Sequence, residues 1–220
     1  MTKPQAGLFI TFEGGEGVGK STNIAFCAEW LRARGIEVVV TREPGGTEIA
    51  ETIRERLLKA HHTESMQPLT ELLLVFAARA QHLQAFIQPA LARGAWVLCD
   101  RFTDSTIAYQ GFGRQLPLPQ IEQLKALVQQ GLEPDCTLLL EAPLAVGMGR
   151  ARGRADQAGE AVDRFEQEQL DFFERVQQGF DWLASQHERF RRIDAAQPLA
   201  QVQQQIEQVL QSLLPPGGLQ

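Results

Sequence analysis

Leu8-Phe9-Ile10-Thr11-Phe12-Glu13-Gly14-Gly15-Glu16-Gly17-Val18-Gly19-Lys20-Ser21-Thr22 is the stretch on which the fold turns. The apolar run Leu8 to Phe12 reads as a buried strand, and a helix follows over about residues 20–34 until Gly35 ends it. Between them, residues 14–21 satisfy the pattern G-x-x-x-x-G-K-[ST]. At ordinary residue frequencies such a match arises by chance in about one chain in a hundred of this length. The context is also the one its chemistry requires. Glycines let consecutive backbone N–H groups turn toward a phosphate, and the helix N-terminus adds partial positive charge. Gly14 through Gly19, together with Lys20, Ser21 and Thr22, therefore form a candidate site for a nucleoside triphosphate. Lys20 is placed to reach the β- and γ-phosphates, and Ser21 to ligate Mg²⁺.

Outward from this point, short apolar runs alternate with helical patterns. Ile36 to Val40, Ala95 to Cys99, Cys136 to Leu140 and Phe190 to Ile193 read as four more strands. Helices are predicted over 47–59, 68–93, 117–130, 143–152, 163–185 and 198–214. Continuous apolar strands alternating with helices imply a parallel sheet covered on both faces. The expected fold class is α/β: a P-loop NTPase of three α/β/α layers, with a five-stranded parallel sheet and a helical lid. Residues 153–162 are rich in Gly and Ala, polar, and flanked by arginines, which suggests a mobile lid over about 150–165. The tail 215–220 is expected to fray, and the whole span 1–220 to be one domain with that lid.

The 220 residues carry 21 Lys and Arg against 27 Asp and Glu, a net charge of −6. An acidic chain of ordinary globular composition is no candidate for binding nucleic-acid polymers or membrane surfaces. Cys27, Cys99 and Cys136 lie far apart, without metal or disulfide spacing. No apolar stretch reaches the roughly 18 residues a membrane span needs, and the first residues do not read as a signal peptide. The expected location is the cytoplasm.

A second site begins at Val97-Leu98-Cys99-Asp100-Arg101-Phe102, where a carboxylate and a guanidinium follow an apolar strand. Ligands of open α/β sheets bind at that end of the strands. Asp100 is a candidate Mg²⁺ partner through water, and Arg101 a bidentate phosphate clamp.

Asp100-Arg101-Phe102-Thr103-Asp104-Ser105-Thr106-Ile107-Ala108-Tyr109-Gln110 resembles the D-R-[FYH]-x-x-S-[STN]-x-A-Y-Q motif of bacterial thymidylate kinases. Thr41-Arg42-Glu43-Pro44-Gly45-Gly46-Thr47 resembles the T-R-E-P-G-G motif of the same family. Phe76-Ala77-Ala78-Arg79 and Val162-Asp163-Arg164-Phe165-Glu166 fall where that family has related motifs. Order and spacing agree from about Leu8 to the final helix.

The resemblance implies transfer of the γ-phosphoryl of ATP to dTMP, giving dTDP and ADP, with Mg²⁺ and by direct in-line displacement. It implies that Arg101 bridges the donor and acceptor phosphates and that Arg54 contacts the dTMP phosphate. Glu16 would accept the sugar 3′-OH, and Glu43 with Pro44 would shape the monophosphate site. Arg79 would donate to a thymine carbonyl, Thr106 and Gln110 would complete base recognition, and Tyr109 would pack against the deoxyribose. The family's homodimeric state is carried over in the same way.

Two features depart from the family pattern or leave its register open. Gly17 stands where some relatives have a phosphate-loop arginine, so the transition-state cation is expected from the lid, where Arg150, Arg152, Arg154 and Arg164 sit; Arg154 and Arg164 are the chosen candidates. The family's F-x-x-x-R places an aromatic four residues before the arginine, but that position is Val75, next to Phe76. Neighbours on a helix differ by about 100°, so Phe76 and Val75 cannot face the base equally. Phe76 is kept among the site residues. A different small P-loop kinase, or a nucleotide-dependent switch protein, is the alternative reading; neither accounts for the two long motifs.

Overall fold

The computed structural model describes residues 7–158 and 168–214, with the side chains of 151, 152 and 154–158 left aside. Strands β1 (Phe9–Glu13), β2 (Val38–Arg42), β3 (Trp96–Asp100), β4 (Cys136–Glu141) and β5 (Phe190–Asp194) pair in parallel in the order β2-β3-β1-β4-β5. Each lies within two residues of the position expected from its apolar run. Nearly every residue of β1, β3 and β4 is buried, as the continuous apolar runs require.

Alternation along the strands divides the core between the two faces. Ile10, Phe12, Trp96, Leu98, Cys136, Leu138 and Leu140 pack against helices α1 (Lys20–Arg32) and α9 (Leu199–Leu213), through Ile24, Cys27, Leu31, Val202, Ile206 and Leu210. Phe9, Val97 and Cys99 face Leu83 and Ile87 on the other side. Those two residues lie in the wide π-helical turn Leu83–Ile87, which joins α3 (Pro68–His82) to α4 (Gln88–Ala92). The single helix expected over 68–93 thus changes its hydrogen-bond spacing in the middle, just before Pro89, whose ring nitrogen has no proton to donate. The helix expected over 47–59 divides in the same way, into α2 (Glu48–Ile53) and the π-helical turn Arg54–Leu58.

Two further differences bear on function. Thr103–Thr106 forms the short helix α5, continued by a π-helical segment Ile107–Gly113, where the sequence analysis assigned no element. Helix α7 (Leu144–Ala158) runs six residues beyond its expected end, so 153–158 is helical rather than irregular. Helix α6 (Leu118–Gln129) falls where expected, whereas α8 (Leu170–Gln186) starts later than the helix expected over 163–185, since Glu168 and Gln169 are not helical. The rest of the expected lid, including Arg164, and the tail 215–220 lie outside the described residues.

A polar rivet crosses the α8 side of the sheet. Arg189, just before β5, donates to both carboxylate oxygens of the buried Asp104 at 2.7 Å. The same guanidinium bonds the Thr137 hydroxyl, which is 2.9 Å from Thr11 Oγ1. Removing one partner of a buried ion pair strands the other charge. Arg189→Leu is expected to cost about 3 kcal/mol of stability, read as a lowered urea midpoint with unchanged slope.

Candidate active site

The sheet register brings the predicted motifs together. Arg42 is level with Asp100, and Asp100 with Phe12, so three loops leave adjacent strands side by side. Backbone pairing continues past the strand ends: Arg101 N–H donates to Phe12 O at 3.0 Å, and Glu43 N–H to Asp100 O at 2.9 Å.

Residues 14–19 make the turn expected of a phosphate loop. Gly14, Gly17 and Gly19 all have positive φ, and at Gly14 a Cβ would lie 2.2 Å from Leu140 O. Only glycine fits there. Lys20 opens α1, is buried, and donates through Nζ to the carbonyls of Gly15 (2.8 Å) and Gly14 (3.3 Å). Burial pulls its pKa down and Arg101 adds to the effect, with Glu16, Asp100 and Glu13 opposing. Ser21 and Asp100 line one common cavity, and Asp100 Oδ1 is buried without a hydrogen-bond partner among the described residues. A carboxylate oxygen and a hydroxyl that line one cavity at the mouth of a phosphate loop fit a hard divalent cation.

Arg101 has left-handed backbone, φ 67°, uncommon for a residue with a Cβ. Its Nη1 donates to Gly14 O (3.0 Å) and Ser105 Oγ (3.1 Å), and its Nη2 to Glu16 Oε1 (2.5 Å). The guanidinium also lies 5.0 Å from the centre of the Tyr109 ring. Burial works against its charge, but Tyr109, Glu16, Asp100 and Glu13 outweigh it and hold the proton more firmly than usual. Tyr109 O–H donates to Glu16 at 3.2 Å.

Beyond Arg101 lies a cavity lined by Glu16, Glu43, Pro44, Arg54, Arg79, Thr106, Tyr109 and Gln110, eight of the residues predicted from sequence. Arg79 is almost wholly buried. Its Nε donates to Glu43 Oε2 (2.7 Å) and its Nη2 to Thr106 Oγ1 (2.9 Å), while Nη1 is buried without a hydrogen-bond partner among the described residues. Arg54 Nη1 donates to Pro44 O at 2.9 Å. The Glu43-Pro44 peptide is cis. Val75 lines this cavity and Phe76 does not. Phe76 is buried in the core beneath the guanidinium of Arg79, its ring centre 4.8 Å away. The physical reason is helical phase: Val75 shares a face with Arg79 one turn on, and Phe76 is rotated away by about 100°.

Several residues that the sequence did not single out support those that it did. Glu71 accepts from Gln110 Nε2 (2.8 Å) and from Arg114 (3.2 Å). His82 bridges Thr41 Oγ1 (2.6 Å) and Glu43 Oε1 (3.0 Å). Glu71, Val75 and Arg79 follow one another at four-residue spacing along α3 and so lie on one side of it. On α7, Arg150 donates to Ala195 O at 3.0 Å, tying that helix to the segment after β5. The side chain of Arg154 is outside the described set, as is all of Arg164.

A strand-to-helix phosphate loop on a β2-β3-β1-β4-β5 parallel sheet, with a cationic clamp beside a second cavity, defines the P-loop kinase class of phosphotransferases. A family model described as Thymidylate kinase matches residues 12–206. The chain is 56% identical to the Thymidylate kinase of Teredinibacter turnerae over 209 residues, 94% of this chain and 99% of the relative. It is 58% identical to that of Pseudomonas fluorescens strain SBW25 (94% and 97%) and to that of Chromohalobacter salexigens (91% and 93%). The chain belongs to the thymidylate kinase family.

Glu13, at the end of β1, is fully buried, and its carboxyl is pushed up to about 8. Burial is the main cause and Asp104 adds to it, against Ser105, Arg101 and the Phe102 N–H. The proton is bound more tightly in the folded than in the unfolded chain, so this contribution to stability is complete below about pH 4.5 and is lost as pH rises through about 8. Melting temperature is expected to decline across that window, and Glu13→Gln to flatten the decline.

Proposed function

We propose that this chain phosphorylates dTMP at the expense of ATP, giving dTDP and ADP, by in-line transfer between the phosphate loop and the cavity beyond Arg101. The observation that carries the reading is that one cavity gathers Glu43, Arg54, Arg79, Thr106, Tyr109 and Gln110 beside Glu16 of the loop. The loop N–H groups and Lys20 hold the donor phosphates. Arg101, facing both the loop and the cavity, contacts donor and acceptor at once. Arg54 meets the acceptor phosphate. The unpartnered Nη1 of Arg79 supplies a donor for a base carbonyl, and Val75 and Gln110 flank the base. Glu16 accepts the sugar 3′-OH, and Tyr109, whose O–H donates to Glu16, packs against the deoxyribose where a 2′-OH would otherwise project.

Ser21 and Asp100 are the residues for Mg²⁺, which when bound neutralises charge on the triphosphate. The acceptor phosphate is itself a nucleophile, so positioning and charge neutralisation are the whole task and no general base is needed. A lid arginine, Arg154 or Arg164, completes the cationic ring; such arginines are worth about 10³–10⁵ in rate in other phosphoryl-transfer enzymes. Residues 1–220 act as one domain whose lid spans about 150–165 and excludes water. No described helix is long and apolar enough to cross a membrane, and the place of work is the cytoplasm. A homodimer is the expected assembly, supported by exposed Ile49, Leu57, Leu69 and Leu73 on α2, its π-helical turn and α3.

The test is ADP release, measured with dTMP, dUMP, dCMP, dGMP or no acceptor. Turnover is expected with dTMP above all others and negligible without an acceptor. Release that ignores the acceptor would point instead to a nucleotide-dependent switch. Lys20→Ala is expected to abolish dTDP formation while leaving the far-UV circular dichroism unchanged.

A further inference from the structure

Arg101 combines an unfavourable backbone with a fixed side chain, so something must hold both. The buried carboxyl of Glu13 is in contact with each half of the problem. Its Oε1 accepts from Phe102 N–H at 2.7 Å, pinning the peptide that follows Arg101. Its Oε2 is hydrogen-bonded to Ser105 Oγ at 2.5 Å, and Ser105 Oγ in turn accepts from Arg101 Nη1 at 3.1 Å. That same Nη1 donates to the carbonyl of Gly14, the residue after Glu13. Asp104, the other carboxylate nearby, is held bidentately by Arg189, and the Ser105 hydroxyl is bonded to Glu13 instead.

We propose that Glu13 is a positioning residue for phosphoryl transfer: through Ser105 Oγ and Phe102 N–H it fixes where the Arg101 guanidinium stands between the two phosphates. This rests on the reading of Arg101 as the group that bridges them. Glu13 itself touches no substrate. It acts by holding two polar atoms at fixed points, and a hydroxyl can give or take a hydrogen bond. An amide of the same shape therefore preserves the arrangement, and a methyl group destroys it.

The test is steady-state kinetics with Mg·ATP and dTMP on Glu13→Ala, Glu13→Gln, Ser105→Ala, the Glu13→Ala/Ser105→Ala double variant and Arg101→Ala. Misplacing a catalytic group by about 1 Å costs roughly 10²-fold. Glu13→Ala is expected to lower kcat by about that factor with the KM for ATP unchanged, and Ser105→Ala by roughly 10-fold. Glu13→Gln is expected to recover most of the loss. The double variant should be no slower than Glu13→Ala, because both changes cut one chain of contacts. Should Glu13→Ala fail to fold, Ser105→Ala and Glu13→Gln carry the test. If Arg101→Ala is inactive while Ser105→Ala turns over at the wild-type rate, or if the two losses multiply, the positioning role is overturned and the reading of Arg101 stands. A melting temperature that falls with kcat intact also overturns it. Full turnover by Arg101→Ala overturns the reading of Arg101 itself.

Discussion

The pairing of β1 with β3 does not end where the strands end. Arg101 donates its backbone N–H to Phe12, and Glu43 does the same to Asp100, so the ladder is carried one residue into the loops. The positions of Lys20, Asp100, Arg101 and Glu43 follow from that fixed register. Parallel pairing at the sheet centre is buried on both faces and resists slippage, because a shift of one residue would turn an apolar face toward polar neighbours. The site thus inherits its rigidity from the least deformable part of the molecule.

The buried charges around it obey a second constraint. A charge taken out of water must be paired or surrounded by hydrogen bonds. Glu43 meets Arg79 and His82, Asp104 meets Arg189, and Glu71 meets Arg114. Each pair joins distant parts of the chain, so the polar layer beneath the cavity ties helices α3, α5 and the start of β5 to the sheet. Leaving buried atoms such as Arg79 Nη1 and Asp100 Oδ1 unpaired is costly, and here both lie at the site.

Much of this was legible in the sequence, and the parts that were not have a common cause. The central strands β1, β3 and β4 showed themselves because buried parallel strands are uninterrupted apolar runs, whereas β5, at the sheet edge, exposes Arg191 and Arg192 and was marked only by Phe190 and Ile193. The phosphate loop showed itself because its glycines are required by backbone geometry. The helical stretch 103–113 did not, since Thr103, Asp104, Ser105, Thr106 and Gln110 turn polar side chains inward and erase the apolar period. Glu13, Glu71 and His82 were missed for another reason. Their partners lie 92, 39 and 39 residues away, and a single sequence gives no sign of such a meeting. Between Phe76 and Val75 the sequence left the choice open, because neighbours on a helix read alike until its phase is known; Val75 lines the cavity and Phe76 is in the core.

The cavity beyond Arg101 is electrically lopsided. At its inner end Glu43 cancels Arg79, leaving one N–H donor and little net charge. Away from that pair, Arg54, Lys59 and Arg101 line the cavity against the single carboxylate of Glu16, so the cationic excess lies there. The lining therefore favours a molecule with an uncharged head and an anionic tail in one direction: the reversed pose would strip water from a phosphate where a single N–H donor and little net charge replace it. The gradient acts like a keyway, fixing which end of a ligand faces the loop before any individual contact is made.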